Sequence, residues 1–244
     1  MATVWDEINQ LECFRDPDKI STAVITGNHP FNVPGFHTML RSIQEIETYP
    51  QQLNNFIVDV GGFRHKYDVI LFYIFHLHTP QVQEPDWWWF GKSAQSLKDI
   101  GDTKQGIVIL HHAIASFGQW EFWSDLVGIP HEMRTFKFEE LRLSFCHKLY
   151  IKIVDPNHPI TKGLSDWEIY GETWGPVKFF PGPECRILMT TDHPKMAMKA
   201  MAWTHQYKNA RVFCLQPGHN NDIFSDPTFR KVLSRGIQWA AGRL

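Results

Sequence analysis

Histidine is the residue type through which this chain could do chemistry, and its placement matters more than its number. Among thirteen histidines, His29 follows the β-branched run TAVIT (22–26), and His76 and His78 follow DVILFYIF (68–75). His111 and His112 end GIVIL (106–110), and His219 follows ARVFCLQ (210–216) in the string LQPGHNND. Imidazole nitrogens with a carboxylate are the usual nitrogen and oxygen ligands of zinc and related divalent ions, and they also suit acid–base work near neutral pH. Glu172, in YGETWG, is the best carboxylate candidate because Gly and Trp bound it rather than a charged helix face; Asp192 and Asp222 are weaker. The expected metal ligands are His29, His111, His112 and His219.

A single histidine is more often a hydrogen-bonded structural residue than a ligand, and His37, His65, His131 and His147 are read that way. His76 and His78 could simply cap a strand end. The pair His111 and His112 is different, since an aliphatic strand rarely ends on two titratable rings without partners for them. One of the two is expected to orient the other or to bond a backbone carbonyl. Trp174 and Trp203, near Glu172 and His205, are expected with His205 to wall a substrate pocket. The string DWWWF (86–90) offers stacking faces, a core or a dimer interface, and three adjacent tryptophans cannot all face one way.

The elements that must position these residues alternate. Phe36, Met39, Leu40, Ile43 and Ile46 share one helical face, and strands are expected at 55–60 (NFIVDV), 68–75 and 106–110. An exposed helix is expected over FGKSAQSLKDIGD, and 140–182 reads as irregular strand-and-loop decoration. CRILMTT and ARVFCLQ return to the sheet, and a closing helix begins at Pro227, capped by Ser225 or Asp226, with Phe229, Val232, Leu233, Ile237 and Ala240 as its apolar stripe. Such alternation predicts an α/β fold, a three-layer doubly wound and mostly parallel sheet, in which loops at the carboxyl ends of the strands gather the ligand site.

Composition narrows the partners. A chain of 244 residues with 43% hydrophobic content supports one sizeable core. A net charge of -2 without a Lys/Arg run argues against nucleic acid and anionic membrane. Cys13, Cys146, Cys185 and Cys214 are too scattered for a thiolate zinc site or a disulfide framework. The amino terminus lacks the pattern of a signal peptide, so the expected location is the cytoplasm.

The strand tip at His111 looks like a nucleophile elbow, yet no G-x-S-x-G or G-x-C-x-G is present. With VITGNHPF (24–31), DVILFY (68–73), GIVILHHAIASF (106–117), VDPNHPITKGL (154–164) and MAWTHQYKNARVFCLQPGH (201–219), the chain resembles the trehalose-utilisation ThuA-like family. Its closing string FSDPTFRKVLSRGIQWAAGR (224–243) also looks like that family's last helix. The resemblance implies the class I glutamine amidotransferase-like (flavodoxin-like) fold without its cysteine nucleophile, as one domain over 22–244 after an extension at 1–21. The family's acidic residue before Glu172 is Gly171 here, and its Gly-rich turn is Lys208, Asn209 and Ala210.

By analogy with the parent fold, His111 stands at the nucleophile's position and His219 near the catalytic histidine, which with Glu172 makes the expected catalytic set. The resemblance implies carbohydrate catabolism with a small-molecule carbohydrate as partner. Two functions remain open: a metal-assisted enzyme acting on a sugar or keto-sugar, with zinc among the candidate ions, or a non-catalytic sugar-binding or assembly module, in either case with homo-oligomers allowed.

Overall fold

A computed structural model describes residues 16–58, 63–78, 97–134, 142–175 and 180–244. The strands among them are β1 (Ile20–Gly27), β2 (Ile46–Gln52), β3 (Val69–Ile74), β4 (Gly106–Leu110), β5 (Arg142–Ile153), β6 (Trp167–Gly175), β7 (Arg186–Thr191), β8 (Ala200–Tyr207) and β9 (Ala210–Leu215). They form one sheet in the order β2-β1-β3-β4-β9-β8-β7-β5-β6.

The half running from β2 to β9 is parallel. From β9 onward every pairing is antiparallel. The sheet is thus mixed rather than mostly parallel. The difference arises at β8, where Lys208 and Asn209 join Tyr207 to Ala210, and so short a loop can link only antiparallel strands. The left-handed residue of that turn is Lys208, with φ 49°. Residues 140–182, expected as decoration, supply the long ribbon of β5 and β6 at the sheet's edge.

Helices cover both faces. On one side lie α1 (Val33–Arg41), α5 (Asn221–Ser225) and α6 (Pro227–Ala240); on the other lie α2 (Leu53–Val58) and α3 (Glu121–Val127), followed by the single turn α4 (His131–Arg134). Adjacent residues of β9 show the division. A Cβ on Gly236 of α6 would come within 2.1 Å of the Phe213 ring, so only glycine lets this helix settle there, whereas Cys214 points to the Val127 carbonyl ending α3. Covered on both faces, β3 and β4 are buried throughout, which is why they read as unbroken apolar runs.

Local signals account for two departures. The strand expected at 55–60 is the helix α2 as far as Val58, its last two residues lying outside the described residues. Leu53, Phe56 and Ile57 are its buried residues, spaced as a helix requires. The first helix stops at Arg41, where the Ser42 hydroxyl donates to the Met39 carbonyl at 2.6 Å, and Ile46 opens β2 instead. Pro50 is tolerated because β2 is an edge strand. The closing helix runs as expected, with the Asp226 carboxylate accepting from Phe229 N–H at 2.6 Å. DWWWF and residues 90–96 of the expected helix lie outside the described residues. No described helix is long and apolar enough to cross a membrane.

Candidate metal centre

The four parallel strands β1, β3, β4 and β9 end on the same edge, and the chain takes a left-handed or glycine-dependent turn after β1, β4 and β9. Asn28 takes a left-handed conformation, φ 51°, to deliver His29 beyond β1. His111 itself sits at φ 58° at the tip of β4 and opens a tight 3-10 turn, His111–Ala115. A non-glycine residue held there is strained, so the surroundings must fix it. Arg134, fully buried, does so from the far end of the turn, donating to the Ile114 carbonyl at 3.0 Å, to the Ser116 carbonyl, and to the Ser124 hydroxyl at 3.0 Å. After β9, Gly218 has φ 156°, and a Cβ on it would stand 3.0 Å from that of His111. The Tyr73 hydroxyl, from β3, donates to the Gly218 carbonyl at 2.7 Å and fixes the loop that carries His219.

His29, His111, His112 and His219 each offer one nitrogen to a group in which all four lie within 4.8 Å of one another. Glu172 reaches the same place from the antiparallel β6. His112 Nε2 donates to Glu172 Oε1 at 2.7 Å, and His219 Nδ1 lies 2.9 Å from Oε2. His111 Nδ1 donates to the Gln216 carbonyl at 2.9 Å. These partners set the tautomers: a proton on His111 Nδ1 leaves a lone pair on Nε2, and a proton on His112 Nε2 leaves one on Nδ1. His112 Nδ1 and both nitrogens of His29 are buried without a hydrogen-bond partner among the described residues. Orphaned buried nitrogens are costly in a finished core, and several aimed at one point form a cluster capable of coordinating a divalent metal ion.

Burial keeps two of these rings, His29 and His111, neutral. Burial, reinforced by His112 and His219 as potential like charges, lowers the His29 pKa to about 3 despite the pull of Glu172. Burial also holds His111 well below the ordinary range, with His112 adding to it. Burial opposes ionisation of Glu172, but the hydrogen bond from His112 and the contact with His219 outweigh it, and the carboxyl stays below its usual range. A histidine with a depressed folded pKa binds fewer protons folded than unfolded, so its contribution to stability is complete above about 6.5 and is lost as pH falls. Between pH 6.5 and the value near 3 for His29, metal-free protein is expected to lose up to about 1.4 kcal/mol per pH unit for each such ring. Urea unfolding in chelator across that range checks it, and a flat profile would contradict the burial of neutral rings.

The other candidates fall elsewhere in the fold. Trp174 is fully buried with its ring 5.6 Å from that of His111 and 5.2 Å from that of His112, so it floors the cluster. Trp203 and His205 serve α3 instead: Trp203 Nε1 donates to the Val127 carbonyl at 2.9 Å, and His205 Nε2 bonds that of Leu126 at 3.1 Å. Trp203 has no exposed surface to offer a ligand. His76 accepts from Asn28 Nδ2 at 3.1 Å and stacks on Phe117, bracing the turn before His29. Tyr73, Arg134 and the Gln216 carbonyl escaped the sequence reading; each acts across more than a turn of chain, and only the paired histidines hinted that such supports were needed.

The three-layer α/β fold, with its mixed sheet and its cluster at the carboxyl edge, is related to class I glutamine amidotransferase-like and flavodoxin-like folds. The chain belongs to the ThuA family, whose model, described as trehalose utilisation, matches residues 65–240. It is similar in structure to a ThuA-like protein from Parabacteroides merdae, with TM-score 0.68, 20% identity and 91% and 90% of the two chains covered. A cytoplasmic protein from Salmonella typhimurium aligns with TM-score 0.61 at 11% identity over 89% and 98% of the chains. PurLQS from Thermotoga maritima gives TM-score 0.54 at 11% identity over 91% and 99%. No curated protein matches the sequence.

Proposed function

We propose that this chain is a metal-assisted enzyme of carbohydrate catabolism, acting on a sugar or keto-sugar derivative. The observation that carries the reading is the convergence of four imidazole nitrogens within 4.8 Å at the edge where this fold binds ligands. Family membership supplies the substrate class. His29, His111 and His112, the three most buried rings of the set, would hold the ion, and zinc suits their nitrogen donors. A divalent ion so bound polarises a carbonyl or hydroxyl oxygen.

His219 has a different task in this reading. Its side chain is 25% exposed, against 0% for His111 and 4% for His112. With Nδ1 2.9 Å from Glu172 Oε2 and 3.4 Å from His111 Nε2, its Nε2 is left to take or give a proton at the substrate. Glu172 stabilises the imidazolium that forms. The domain over 22–244 and a cytoplasmic setting, where the free thiols of Cys185 and Cys214 stay reduced, complete the proposal.

The test is elemental mass spectrometry on the purified chain, followed by turnover assays on glucosides and keto-sugars with and without chelator. About one equivalent of zinc and turnover that chelator abolishes and zinc restores are expected. Protein that takes up no metal on reconstitution, or turns over no sugar when loaded, would overturn the enzymatic reading, and sugar binding unaffected by chelator would identify a binding module.

A further inference from the structure

We propose that Phe145 is the stacking platform for the sugar ring presented to the histidine cluster, an inference that rests on the carbohydrate reading above. The β5–β6 ladder pairs Arg142 with Gly175, Leu143 with Trp174 and Ser144 with Thr173, then resumes with His147 opposite Gly171. Two residues of β5, Phe145 and Cys146, therefore oppose the single residue Glu172. Such a bulge bends its strand and re-aims side chains, and bulges occur beside functional sites for that reason. Here Glu172 carries its carboxylate inward to His112. Phe145 lies over His219, with ring centroids 4.7 Å apart and the planes inclined by 33°.

An exposed phenylalanine by itself signifies little, because folded surfaces are rich in apolar atoms. Phe145 is 51% exposed while touching the most exposed imidazole of the cluster. Its open surface thus adjoins the ring that reaches solvent. Tyr150 and Tyr170 are comparably exposed but stand in the regular part of the ribbon, opposite Glu168 and Lys148, and have no such neighbour.

The chemistry fits a pyranose. One face of the ring presents C–H groups with partial positive charge, which stack on the negative face of an aromatic ring, while its hydroxyls stay free at the edge. Phenylalanine has no polar group to compete for those hydroxyls. A sugar laid on the surface of Phe145 that His219 leaves uncovered would stand in the same opening as the exposed part of His219, the residue assigned above to move the proton.

The experiment titrates metal-loaded wild type, Phe145→Ala and Phe145→Trp with trehalose, glucose and fructose, read by saturation-transfer NMR, alongside metal content and thermal midpoint. Phe145→Ala is expected to weaken binding of the sugar that wild type takes by about tenfold, with metal content and midpoint unchanged, while Phe145→Trp retains binding. Equal binding by wild type and Phe145→Ala would overturn the platform alone. Loss of metal or midpoint in Phe145→Ala would also overturn it, by showing that the ring supports His219 rather than the sugar. If wild type bound none of the three sugars, the carbohydrate reading would fall and the platform with it.

Discussion

His111→Ala protein dialysed against a zinc buffer is expected to emerge with essentially no metal, its affinity reduced by more than about 100-fold, because loss of a ligand costs at least what loss of a ligand's support does. His112→Ala should behave alike. His37→Ala is the control, since His37 lies on α1 and is not one of the four clustered rings. The two substitutions at the strand tip can be separated from strain. His111 sits at φ 58°, where an alanine pays about 1–2 kcal/mol and gains nothing in return, whereas asparagine tolerates the conformation. In chelator, His111→Asn is therefore expected to unfold in urea at a higher midpoint than His111→Ala, since it keeps the turn at a lower backbone cost. In zinc wild type should pull further ahead of both, because only wild type gains from binding. Stoichiometric metal in His111→Ala would remove His111 from the ligand set.

How far this site could be read from the sequence depends on which contacts are local. His29, His111, His112 and His219 each follow a run of apolar residues, and the rule that parallel strands gather ligands at their carboxyl ends was enough to bring them together. Glu172 was legible for another reason, as an acid between Gly171 and Thr173 where no charged helix face explains it. What could not be read was the antiparallel half of the sheet. Ala202 and Trp203, adjacent in β8 and so on opposite faces, are both buried, so the strand lacks the alternation that would have marked it. The bulge opposite Glu172 was hidden too, because it exists only in the pairing of β5 with β6. The partners of Trp203 and His205 were hidden for the same reason: they are carbonyls of α3, some eighty residues away by chain, and a polar aromatic beside a sheet edge looks alike whether it meets backbone or substrate.

Glu172→Gln is expected to weaken metal binding by about 10–100-fold and, at saturating zinc, to leave turnover at least about 100-fold down, with the fold intact. One carboxylate accepts from His112 at Oε1 and faces His219 Nδ1 at Oε2. A glutamine of the same shape keeps a single acceptor, so its NH2 must confront one of the two rings. If that ring is His112, its proton moves to Nδ1, the buried nitrogen without a partner, and the lone pair aimed into the cluster is lost. If it is His219, the imidazolium loses the charge that stabilises it, and proton transfer fails while metal is retained. His219→Ala separates the two outcomes: on the assignment made here it should keep its zinc and lose turnover, so that Glu172→Gln is the more damaging change in a metal titration and the two are comparable in rate. Calorimetric zinc titrations and rates measured on fully loaded protein decide the matter. Unchanged affinity and rate in Glu172→Gln would show that the carboxylate only fills space between the two histidines, and loss of zinc in His219→Ala would make that ring a ligand and pass the proton to Glu172.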